Sequence, residues 1–201
     1  MQKLTKLFES LESRGYGVMD DALPRSLTER LLTECQKSWQ DGAFQEANIG
    51  RGSTKSRAND IRGDSILWFE PGFVGSAAAE FMIWAAELRA FLNERYFLGL
   101  KSEEFHFARY PVGKCYQKHL DQHRGHSERQ ISLVLYLNPL WSESDGGQLR
   151  LFSSENANLE LDVVLPKMGR LVLFQSDLVP HEVSLCFQIR WSLTGWFRND
   201  F

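Results

Sequence analysis

The chain has 201 residues, of which 43% are hydrophobic and 24% charged, and carries a formal net charge of −3. That length fits a single domain over 1–201, and the balance excludes a disordered or collagen-like chain and gives no basic excess for nucleic acid or a membrane surface. Three cysteines, Cys35, Cys115 and Cys186, are too few and too scattered for a disulfide framework or a Cys-rich zinc site. The 14 Phe, 6 Trp and 5 Tyr can line both a core and the walls of a pocket. No uncharged apolar run is long enough to span a bilayer and the start lacks a signal-peptide pattern, so a cytoplasmic protein is expected.

The first half reads as helical. Leu4, Leu7, Phe8 and Leu11 recur at helical spacing, and Gly15 and Gly17 stop that helix. Pro24, Ser26 and Glu29 predict a capping-box start for a helix to about Trp39, with Leu27, Leu31, Leu32 and Cys35 as its buried stripe. Residues 41–60 are polar and without period, the character of a functional lid loop. A short strand is expected at Ser65–Phe69, and after Pro71-Gly72 the Ala-rich run from about Ser76 to Tyr96 predicts the longest helix. Residues 1–100 are thus expected as helical support with a lid loop, and 104–197 as the core domain.

From Glu104 the period changes. HFARY, QISLVLYL, GGQLRLF, LELDVVL, GRLVLF and RWSLTGWF are short alternating runs separated by turn signals such as Asn138-Pro139 and Asp145-Gly146-Gly147. Helices first and strands second predict a mainly β fold, an antiparallel barrel or jelly roll braced by helices on one face.

The chemistry centres on Tyr116-Gln117-Lys118-His119-Leu120-Asp121. In a strand, residues two apart project to one face, so His119 and Asp121 can present an imidazole and a carboxylate to one point. His181 lies 60 residues beyond Asp121, at the start of a later strand that a jelly roll can bring alongside. Two His and one carboxylate leave three metal positions open, the arrangement of non-haem Fe(II) oxygenases. Arg190 follows, on a strand face shared with Ser192, Thr194 and Trp196, and a guanidinium is suited to fork-like binding of a carboxylate. A rival metal stripe, Cys115, His119, His123 and His126, has helical spacing for zinc, but Pro111, Gly113 and Gly125 bracket it and its neighbours alternate like strands.

The order HxD, H and R-x-S, together with IRGDSILWFE, LVLYLNPLWSESDGGQLRLF and VPHEVS, resembles the prolyl 4-hydroxylase branch of the 2-oxoglutarate- and Fe(II)-dependent oxygenases. More narrowly it resembles the oxygen-sensing prolyl hydroxylases of animals and their short bacterial relatives, for which elongation factor Tu is a known type of substrate. The resemblance implies a double-stranded β-helix and a dioxygenase that hydroxylates a prolyl residue at its 4-position, with release of succinate and CO2. It implies His119, Asp121 and His181 as ligands of Fe(II), with 2-oxoglutarate and O2 at the open positions and ascorbate (vitamin C) as an accessory reductant. Arg190 and Tyr136 would bind 2-oxoglutarate, with Ser132 and Val134 on the same strand face. On the substrate side it implies Trp196, Tyr110, Arg129, Asp64, Trp68 and Tyr116, the last only if a bulge turns it inward. The 41–60 loop corresponds to a finger over the bound peptide. There are departures from the pattern: VGKC between Tyr110 and Tyr116 is one residue shorter than in the animal enzymes, and His106 and Arg109 replace less polar residues, with His106 on a strand face shared with Tyr110. Free amino acids or other protein side chains are the alternative substrates, and a non-catalytic metal-binding module is the alternative in another class.

Overall fold

The computed structural model describes residues 4–47, 62–69, 76–122 and 127–200. Helix α1 (Thr5–Arg14) buries Leu7, Phe8 and Leu11 and ends at Gly15, whose φ of 77° is the left-handed cap that a Cβ disfavours. Gly17 does not belong to that stop signal. It lies in strand β1 (Tyr16–Met19), which is too short to show a period in the sequence. Helix α2 (Arg25–Gln40) buries Leu27, Leu31, Leu32 and Cys35 as its spacing requires. The expected capping box is absent: Pro24, at φ −55° and ψ 133°, takes the N-cap position and starts the helix two residues early. Ser26 therefore sits inside the first turn, and Glu29 pairs with Arg25 at 2.8 Å instead. Helix α3 (Ala77–Tyr96) is capped by Ser76, whose Oγ accepts from the Ala79 N–H at 3.1 Å. Glu34 of α2 adds a carboxylate at the same end, accepting from the N–H groups of Ala77 at 2.8 Å and Ala78 at 3.2 Å.

The remaining strands are β2 (Gln45–Glu46), β3 (Ser65–Trp68), β4 (Ser102–Tyr110), β5 (Tyr116–His119), β6 (Arg129–Tyr136), β7 (Leu149–Phe152), β8 (Glu160–Val164), β9 (Leu171–Gln175), β10 (His181–Val183) and β11 (Arg190–Arg198). They form a seven-stranded sheet, β1-β9-β6-β11-β4-β3-β2, and a four-stranded sheet, β5-β10-β7-β8. All strand pairs are antiparallel. The architecture is the expected jelly roll with helices on one face. The N-terminal half is less purely helical than its period suggests, because β1, β2 and β3 complete both edges of the large sheet.

Strand alternation divides the large sheet into two chemistries. Odd-numbered Phe105, Phe107, Ile131, Leu133, Leu135, Leu171, Leu173, Leu193 and Phe197 pack in one core with the buried stripes of the three helices. Even-numbered Ala108, Tyr110, Val134, Tyr136, Val172 and Phe174 face the other way, joined by Leu149, Leu151 and Val183 of the small sheet. The helices thus brace one face and leave the other to form a lined interior. Gly195 marks a close crossing of β11 and β4, since a Cβ there would sit 2.1 Å from the Glu104 carbonyl. Phe81 of α3 is fully buried and meets Phe105 edge-on at 5.0 Å. Phe81→Ala is expected to cost about 3–5 kcal/mol through lost burial and a residual cavity, read by urea denaturation.

Candidate active site

Strands β5 and β10 lie side by side, with His181 opposite His119. From that pair to the pairing of Val183 with Tyr116, β10 advances two residues and β5 three, so β5 contains a bulge. The bulge turns Tyr116 inward and stacks its ring on His119, with centroids 3.7 Å apart. Asp121 follows the end of β5. Its Oδ1 lies 3.6 Å from His119 Nε2 and its Oδ2 lies 3.7 Å from His181 Nε2. One ligand atom from each residue falls within 4.8 Å of the others, a spacing that suits three bonds to one ion.

The surroundings hold these groups in ligating form. His119 Nδ1 is 2.7 Å from the Gln117 carbonyl and His181 Nδ1 is 3.0 Å from the Val179 carbonyl. A proton on each Nδ1 satisfies those carbonyls and leaves both Nε2 lone pairs directed at the shared point. Burial lowers the His181 pKa to about 4, so the ring is an unprotonated donor at neutral pH. Burial alone would raise the Asp121 carboxyl, but His181, His119 and the Ser132 hydroxyl outweigh it and hold the group below the ordinary carboxylate range. Ser132 Oγ donates to Asp121 Oδ2 at 2.7 Å and bonds Ser176 Oγ at 2.8 Å.

These groups open into a cavity of about 840 Å³ that also contains Arg190. Arg190 is 2% exposed, and among the described residues no carboxylate pairs with it. Its Nε donates to the Gly147 carbonyl at 2.9 Å, and its Nη1 to Ser192 Oγ at 3.3 Å. Tyr110 and Tyr136 flank it, their ring centroids 5.1 and 5.0 Å from Cζ. The Tyr136 hydroxyl is buried with no hydrogen-bond partner among the described residues. Burial raises the Tyr136 pKa and Arg190 only partly opposes it, so the phenol keeps its proton to donate. A buried cation and an unused O–H donor side by side are a receptor for an anion that the chain itself does not supply.

The expected site residues divide between the two ends of this cavity. Tyr110 lies at the Arg190 end, beside that guanidinium, and Ser132 is committed to Asp121. At the other end Trp68 and Trp196 lie 6.2 Å apart, and Arg129 is stacked on Trp196 at 3.4 Å while pairing with Glu104 at 2.9 Å. Asp64 is buried in a two-pronged ion pair with Arg62, at 2.6 and 2.9 Å, and Arg62 covers the Tyr116 ring. Arg62 was missed in the sequence, although its position two residues before Asp64 was a usable signal for a shared face. Ser176 was missed as well, since nothing local marks a hydroxyl that bonds to Ser132 across the sheet. Cys115 precedes a strand rather than lying on a helix with His119, so the zinc stripe lacks its required geometry, and His123 and His126 lie outside the described residues. Of the 41–60 loop only 41–47 are described, with Gln45–Glu46 pairing on β3; 48–60 and Pro71-Gly72 lie outside the described residues.

Known proteins resemble this chain in sequence and fold. Residues 105–198 match the 2OG-Fe(II) oxygenase superfamily. The chain is 28% identical over 194 residues to Egl nine homolog 1 of Rattus norvegicus, covering 93% of this chain and 56% of that protein. It therefore spans about half the length of that curated relative. Among solved structures, a prolyl-4-hydroxylase from Pseudomonas putida superposes with a TM-score of 0.86 at 38% identity, covering 96% of this chain and 97% of that one. A prolyl hydroxylase from Trichoplax adhaerens, in complex with a hypoxia inducible factor oxygen degradation domain peptide fragment, superposes with a TM-score of 0.83 at 29% identity, over 98% and 90% of the two chains.

Proposed function

The chain belongs to the prolyl 4-hydroxylase branch of the 2OG-Fe(II) oxygenase superfamily, and from that premise we propose that it hydroxylates a prolyl residue of a protein substrate. The observation that carries this reading is the buried, acid-free Arg190 in the same cavity as His119, Asp121 and His181. Two imidazoles and one carboxylate are the donor set for Fe(II), and Arg190 with Tyr136 is the fork for the distal carboxylate of 2-oxoglutarate. With iron, 2-oxoglutarate and O2 bound, the centre supplies oxidative decarboxylation to succinate and CO2 coupled to insertion of one oxygen atom into a C–H bond.

The chain's own residues do the rest. His119, Asp121 and His181 would hold the metal, with their orientation fixed by Gln117, Val179 and Ser132. Arg190 and Tyr136 would anchor the distal carboxylate of the co-substrate in the same cavity. Trp68, Trp196 and Arg129 line the end that receives the target residue and exclude water from it. Tyr116, stacked on His119 beneath Arg62, closes the side between them.

Elongation factor Tu is the first candidate substrate. Incubated with the protein, Fe(II), 2-oxoglutarate and ascorbate, it is expected to gain one oxygen atom on a proline, seen by intact mass and located by fragmentation. Oxygen on a residue other than proline moves the substrate assignment to another side chain. Failure to bind Fe(II) and 2-oxoglutarate anaerobically would make the chain a non-catalytic module instead.

A further inference from the structure

The cavity holds a second set of buried polar atoms without partners, at the end away from Arg190. His106, on β4, is 1% exposed, and its Nδ1 has no hydrogen-bond partner among the described residues. Trp196, on the neighbouring β11, is 4% exposed, and its Nε1 is unpartnered as well. The two rings face each other at 5.5 Å and 32°, and Trp68 covers His106 at 4.6 Å. Strand register separates this wall from the Arg190 end: Arg190 pairs with Tyr110, whereas His106 pairs with Thr194 and Trp196 with Glu104. A buried donor left unpaired is a standing cost to the fold, and two on one cavity wall are matched by something that enters the cavity.

The chemistry of these atoms narrows what that is. An indole N–H only donates. Burial, with Arg62 and Arg129 nearby, lowers the His106 pKa well below its ordinary value, so the ring is neutral and has one N–H to place. With the His106 proton on Nδ1, two unpartnered N–H groups lie on one wall, and together they suit one carbonyl oxygen, which has two lone pairs. They do not suit a peptide group that also brings a buried N–H. The peptide group preceding a proline has a carbonyl and no N–H.

We propose that His106 is a specificity-determining residue that, with Trp196, donates a hydrogen bond to the carbonyl oxygen of the peptide group preceding the target proline. Trp68 is the cover that the entering chain displaces to reach the pair. This inference rests on the prolyl hydroxylase reading and deepens it, because the wall favours a tertiary amide, which brings no N–H, over an ordinary peptide group. His106→Leu removes the donor at similar volume, and His106→Asn returns an amide nitrogen near the place of Nδ1.

With elongation factor Tu as the probe, H106L is expected to raise KM for the protein substrate about tenfold, the worth of one hydrogen bond. The KM for 2-oxoglutarate and the anaerobic Fe(II) affinity stay at wild-type values, and Tm holds or rises because an unpaired buried polar group is removed. H106N recovers most of the loss, which a merely structural role for the ring would not produce. The inference is overturned if H106L leaves the protein KM within about twofold, or if H106N fails to recover it. If the wild-type protein places no oxygen on any proline, the parent reading falls and takes this inference with it. If the wild type hydroxylates proline and H106L does so equally well, only this inference falls.

Discussion

His181→Ala is expected to abolish Fe(II) binding and succinate release together while leaving the fold intact. The expectation follows from the geometry of three donors around one point: with His181 removed, His119 and Asp121 provide two, at 3.6 Å from each other. Two protein ligands hold Fe(II) too weakly against water and chelators. The fold does not depend on this residue, because β10 is paired on both sides by backbone hydrogen bonds that alanine keeps. Anaerobic titration with Fe(II), followed by tryptophan fluorescence, measures the binding, and circular dichroism the fold. Turnover of 2-oxoglutarate at wild-type rate in the variant would remove iron from the assignment. Ser132→Ala is a milder version of the same experiment. It frees Asp121 Oδ2 from the bond at 2.7 Å, and metal affinity is expected to fall roughly 10–100-fold, the usual effect of losing a group that orients a ligand.

Arg190→Met is expected to raise the KM for 2-oxoglutarate by two to three orders of magnitude, about 3–4 kcal/mol for two charge-assisted hydrogen bonds. Arg190→Lys keeps the charge but loses the planar fork, so it recovers only part of the affinity. Stability behaves in the opposite sense from an ordinary core mutation. Arg190 is a buried charge with no acidic partner among the described residues, so an apolar side chain of similar length holds or raises Tm. A variant that loses 2-oxoglutarate and stability together would instead show Arg190 to be a structural brace. The contrast with Arg62 is instructive. That guanidinium is satisfied by Asp64 on both prongs, and its place in the cavity wall is already compensated within the chain.

Much of this arrangement is legible in the sequence because strand alternation carries it. In β4, β6 and β11 the even positions hold His106, Tyr110, Ser132, Tyr136, Arg190 and Trp196, and the odd positions hold the apolar residues that meet the helices. A polar residue recurring every second position in an otherwise apolar strand marks a face that does not join the main core. Likewise, Leu7, Phe8 and Leu11 of α1 declare their buried stripe without help from the rest of the chain. The short strands β1 and β2 were not legible, since two to four residues show no period. The start of α2 was misread for a different reason: Ser26 and Glu29 carry a valid capping signal, and the backbone of Pro24 overrode it.

The donor types, their spacing and the strand faces they share can be read from the chain alone, because they depend on local geometry that two or four residues settle. How these groups meet depends on the packed sheets. The pairing of His119 with His181 across β5 and β10 joins residues far apart in the chain, and backbone hydrogen bonds set that register. The bulge that brings Tyr116 onto His119 is a mismatch between two strands, a property that neither strand possesses alone. The same holds for the unpaired groups that give the cavity its chemistry. Whether Arg190 finds an acid, or His106 and Trp196 find acceptors, depends on every element packed around them, and that information exists only once the sheets have closed.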